Sequence, residues 1–122
     1  MNKTVLLVAP LLLALGCSAD HGRFGPYYTP RVSAAKAIDD PGLRDDTLRY
    51  VGQQAIDGGD AVAAADAVDA IHEQQLKDDL AARSARTLNG RQQWGQATFM
   101  AKKISDVNLR DRILAEIATG RS

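Results

Sequence analysis

The side chains of this chain that could do chemistry are few: one cysteine, Cys17, two histidines, His21 and His72, and three aspartates at equal spacing, Asp45, Asp78 and Asp111. A single cysteine can form no disulfide within the chain and cannot build a cysteine-based metal site. His72 stands beside Glu73, and a metal site there would need a further ligand in register, so surface placement is expected and no metal is assigned. Neither histidine is placed by a neighbour to activate a serine, and the glycines sit where helices end, not in a phosphate-binding loop. Trp94 and Phe99 could face a ligand, but on a helix of period 3.6 a lone Trp is usually core. No catalytic residue, cofactor or small-molecule substrate follows from these side chains. The expectation is a protein without enzymatic activity.

The three aspartates belong to a repeated phrase of Ile, four residues, Leu, a base and Asp, which begins at Ile38, Ile71 and Ile104, 33 residues apart each time. Each copy is expected where one helix ends and the next begins. The Ile would be the last core residue of one helix, and Leu43, Leu76 or Leu109 the first of the next. Gly42, Gln75 and Asn108 fall in the N-cap slot. The aspartates three residues later would then accept from free N–H groups at the helix start, at about 0.3–1 kcal/mol each.

The rest of the chain reads as helix. Thr29-Pro30 opens a first helix whose core face is Val32, Ala35 and Ile38, ended by Asp40-Pro41-Gly42. Leu43, Thr47, Leu48, Val51 and Ala55 mark a second, up to Gly58-Gly59. Asp60 caps a third, with Val62, Ala64, Ala65, Val68 and Ile71 inward. Leu76, Leu80, Ala81, Ser84, Ala85 and Leu88 mark a fourth. Trp94, Ala97, Ala101 and Ile104 mark the fifth, and Leu109, Ile113, Leu114, Ile117 and Ala118 the sixth. The fold class is all-α: three stacked αα-hairpins of 33-residue period, a short solenoid in which each pair buries a face on the next. The arrangement resembles a tetratricopeptide-like array over residues 30–122. Leu48, Val51, Gly52 and Ala64 stand where that family prefers a large apolar, a second apolar, a small residue and Ala.

Residues 1–16 read as a targeting segment. Lys3 precedes the apolar run Val5–Leu15, eleven residues long, where a membrane span needs roughly 20. Ala14-Leu15-Gly16-Cys17 resembles the lipobox of bacterial lipoproteins. The resemblance implies cleavage before Cys17, diacylglycerol on its sulfur and acylation of the new N-terminus. Ser18, not Asp, at the next position implies the outer membrane of a bacterial cell envelope, facing the periplasm. Cleavage after Ala19 instead would release a soluble protein. Residues 17–29, with Gly22, Gly25 and Pro26, read as a flexible tether. Its Phe24, Tyr27 and Tyr28 are expected to fold back on the domain or rest at the lipid interface.

Fifteen bases balance fifteen acids, so no net field draws the chain to nucleic acid. The balance is uneven along the sequence, however. Asp20 to Asp79 holds twelve acids and six bases, and from Leu80 onward there are three acids and eight bases. The basic half supplies candidate partner-binding residues: Arg83, Arg86, Arg91, Lys102, Lys103, Arg110 and Arg112. The function expected is a lipid-anchored, helical-repeat module binding another envelope protein. The alternative is a structural spacer that stacks end to end through its opposite charges.

Overall fold

The structure, a computed structural model, describes residues 25–121. Cys17, expected to carry the lipid, the expected targeting segment, most of the expected tether, His21 and Phe24 lie outside the described residues. Among the described residues six helices follow one another: α1 Gly25–Lys36, α2 Pro41–Asp57, α3 Ala61–Ala70, α4 Gln74–Gly90, α5 Trp94–Ala101 and α6 Val107–Thr119. No strand occurs among the described residues, and the all-α expectation holds. None of these helices is long and apolar enough to cross a membrane.

The first helix begins earlier than Thr29-Pro30 predicts. α1 starts at Gly25 and carries Pro30 inside it, so residues 25–29 of the expected tether are helical. Tyr27 and Tyr28 meet edge to face, their ring centroids 4.8 Å apart, and the Arg31 guanidinium lies 5.2 Å from the Tyr27 ring centre. Tyr28 packs over Gly58, at the end of α2, leaving no room there for a Cβ. The aromatic pair folds back on the domain.

Acidic side chains start the second helix of each successive pair, two residues before the N-cap slot read from the sequence. The N-caps are Asp40, Glu73 and Asp106, not Gly42, Gln75 and Asn108. Each accepts the N–H of the phrase's leucine: Leu43 to Asp40 at 2.8 Å, Leu76 to Glu73 at 2.8 Å and Leu109 to Asp106 at 3.2 Å. The aspartates of the phrase do not cap their own helices. Asp45, on α2, receives the N–H groups of His72 (3.2 Å) and Glu73 (2.9 Å), at the entry to α4. Asp78, on α4, receives those of Ser105 (2.7 Å) and Asp106 (3.0 Å), at the entry to α6. Each is thus a clamp from one long helix to the connection that begins the next. Asp45 is 4% exposed and Asp78 6%, whereas Asp111 is exposed and has no hydrogen-bond partner among the described residues. A buried carboxylate holding two backbone donors is a charge-assisted arrangement, stronger than a neutral hydrogen bond.

The core runs through the helix faces that the 3.6-residue spacing marks. Leu48, Ala55, Val68, Leu80, Ala85, Leu88, Ala97, Ala101, Ile104 and Ile113 are all buried. Close approach decides Gly52. A Cβ on it would meet Leu80 of α4 at 2.6 Å and Ala67 of α3 at 3.0 Å, so α2, α3 and α4 converge on a residue with no side chain. The leucines of the phrase are not all core, as Leu43 is exposed and Leu76 and Leu109 are only half-buried. Val62 and Trp94 are corrected too: 79% and 51% exposed, they lie outside the core, as does Phe99, 59% exposed.

Candidate functional site: a groove between α3 and α5

Every helix packs on the next in the chain, and the next-but-one pairs α1–α3, α2–α4 and α4–α6 also pack. α3 and α5 do not form a packed pair of this kind. A groove of about 510 Å³ opens between them. It is lined by small residues, Ala61 and Ala65 of α3 and Gly95 of α5, together with the buried side chain of Met100. Val62 and Phe99 stand on its walls, and this is why the apolar period misplaced Val62: it faces a cleft, not the core.

The polar groups of the groove are fixed by ion pairs. Lys103 Nζ lies 2.8 Å from Asp69 Oδ1 and 4.6 Å from the Phe99 ring centre, so one cation joins both walls and covers an aromatic face. Lys36, at the end of α1, holds Asp66 at 3.2 Å. With both carboxylates paired, the groove offers apolar surface with a polar rim.

The other basic residues named from the sequence do not converge on this groove. Arg86 is bidentate on Glu116 across α4 and α6, with both contacts at 3.0 Å. That hydrogen bond raises the Arg86 pKa above its ordinary value and lowers that of the Glu116 carboxyl, against a smaller opposing effect of burial. Arg83 pairs with Asp79 at 3.6 Å and reaches Gln53 of α2. Arg91 donates to the carbonyls of Ile56 (2.8 Å) and Asp57 (3.0 Å), closing the C-terminus of α2. The side chains of Lys102, Arg110 and Arg112 form no hydrogen bond or ion pair among the described residues, Arg110 being half-buried and the other two exposed. His72 is exposed, with Nδ1 3.3 Å from the Arg44 guanidinium. No group of three His, Cys, Asp or Glu side chains among the described residues is placed to hold a metal ion.

What sequence reasoning missed here is the groove itself. Its available signal was an apolar excess beyond one helix stripe, with Val62 beside the buried Ala63 and Phe99 beside the buried Met100. Compared with known proteins, the chain matches no family model, no curated protein and no solved structure.

Proposed function

We propose that this chain is a lipid-anchored helical-repeat module that binds another protein of the bacterial cell envelope and performs no reaction itself. The observation that carries the binding role is the apolar groove between α3 and α5, with Val62 and Phe99 exposed on its walls. Exposed apolar surface of this kind costs solubility unless a partner covers it. A stack of hairpins in the tetratricopeptide manner is supported by the clamps of Asp45 and Asp78, which join equivalent helices at the same 33-residue step. The anchor rests on the Ala14-Leu15-Gly16-Cys17 motif. Several acyl chains on one cysteine would hold the domain at the membrane, each buried methylene adding about 0.8 kcal/mol.

A photo-crosslinking residue placed at Phe99 tests the groove in intact cells. The expected product is one protein adduct, lost when Val62→Glu puts a charge on the opposite wall while helicity is retained. An adduct unchanged by Val62→Glu, or none at all, removes the groove as a protein-binding site. The anchor is tested separately, because Cys17→Ala should leave the precursor uncleaved or move the protein out of the membrane fraction.

A further inference from the structure

The clamp that joins α2 to α4 and α4 to α6 leaves one acceptor open at one end of the fold and two donors open at the other. Asp111 occupies on α6 the place of Asp45 and Asp78, and it is exposed without a partner among the described residues. Asp39 and Asp40 occupy the places of His72-Glu73 and Ser105-Asp106, whose N–H groups the clamps bind. The N–H groups of residues 39 and 40 find no acceptor among the described residues.

The side chains around these groups follow the same register. Leu48 and Val51 of α2, like Ala81 and Ser84 of α4, are buried, but Leu114 and Ile117 of α6 remain partly open. Gly52 and Ala85 are buried, whereas Ala118 is exposed. At the opposite end Leu43 and Tyr50 of α2 are 56% and 64% exposed. Their counterparts on α4 are Leu76 and Arg83, and Arg83 reaches back to Gln53 on the preceding long helix. Both ends therefore expose apolar side chains, and at Leu43, Leu114 and Ile117 the equivalent positions inside the fold are more covered. Charge agrees with this pairing: residues 25–60 hold six acids and four bases, and residues 91–121 hold three acids and six bases.

We infer that a second copy of this chain docks head to tail, its α1–α2 end on the α6 face of the first, with Asp111 receiving the N–H groups of Asp39 and Asp40. The inference rests on the 33-residue register proposed above. The contact is heterologous, joining two different surfaces, so it does not close on itself and adds copies in an open series. Opposite charge at the two ends makes association weaken as salt rises.

The test is sedimentation of the full chain in mild detergent over a concentration series, with two one-sided variants. Ala118→Arg blocks the α6 face at an exposed position, and Leu43→Glu with Tyr50→Glu blocks the other end. Circular dichroism confirms that both variants stay helical. The wild type should grow through successive oligomers, and each variant alone should associate at least about tenfold more weakly. An equimolar mixture of the two variants should form a one-to-one complex through their intact ends and stop there. A wild type that stays monomeric at about 1 mM overturns the inference. So does a variant that associates as well as the wild type, or a mixture that forms no complex. Failure of the register itself would show differently, as a monomer whose stability does not depend on Asp78.

Discussion

At Asp45 and Asp78 a carboxylate is taken out of water and given two backbone donors in return. Removing either acid leaves two N–H groups at a helix entry with no acceptor, the expensive side of hydrogen-bond energetics. Asp78→Ala is therefore expected to destabilise the domain by about 2–3 kcal/mol. Asp111→Ala, the same change at the same place in the phrase, should stay within about 0.5 kcal/mol because its carboxylate is exposed and unpartnered in the single chain. Denaturant melts of the two variants at low protein concentration check the contrast. Equal costs would mean that the aspartates act only at their own helix ends.

Between elements, the tightest constraint is the meeting of α2, α3 and α4 at Gly52. Glycine inside a helix normally costs about 0.5–1 kcal/mol relative to alanine, and here that cost is offset by the approach of Leu80 and Ala67. Gly52→Val should force Leu80 aside or push the helices apart, at roughly 1–3 kcal/mol. A thermal melt registers the loss, and unchanged stability would show that the three helices have slack at this point. The same reasoning explains the groove. The pairs α1–α3, α2–α4 and α4–α6 pack directly, but α3 and the end of α5 are bridged by Lys103, spanning from Phe99 to Asp69. A long cation at the edge bridges two helices without filling the space between them.

Over the whole molecule the charges nearly cancel, yet one pair couples stability to pH. The Arg86 hydrogen bond holds the Glu116 carboxyl below its ordinary range in the folded state. The folded state thus binds that proton less readily than the unfolded chain does. Its stabilisation is present in full above the usual glutamate range and is lost as pH falls through the folded-state value. Because the pair is partly exposed, its worth is limited to about 1 kcal/mol or less. Glu116→Gln should lower stability slightly at neutral pH and flatten the decline on acidification, as followed by melts between neutral and acidic pH. An undiminished acid slope in that variant would place the sensitive carboxylates elsewhere.

The sequence by itself determined the helices and most of their core faces, because a 3.6-residue apolar period and the breakers Pro41, Gly58 and Gly59 act within a few residues of one another. It also contained the acid two residues after each isoleucine of the phrase, the residue that caps the helix. Local rules could not say which of two nearby acids caps and which reaches onward, since Asp45 and Asp78 find their donors 27 and 28 residues away. A tight turn was legible at Gly58-Gly59. The corresponding left-handed position before α5 falls on Gln92 (φ 63°), a residue that gives no such signal. The placement of Val62, Trp94 and Phe99 outside the core was decided only in three dimensions. A hydrophobic side chain carries the same local pattern whether its helix face meets a neighbour or a gap, and only the packing of α3 and α5 against α4 sets which one it meets.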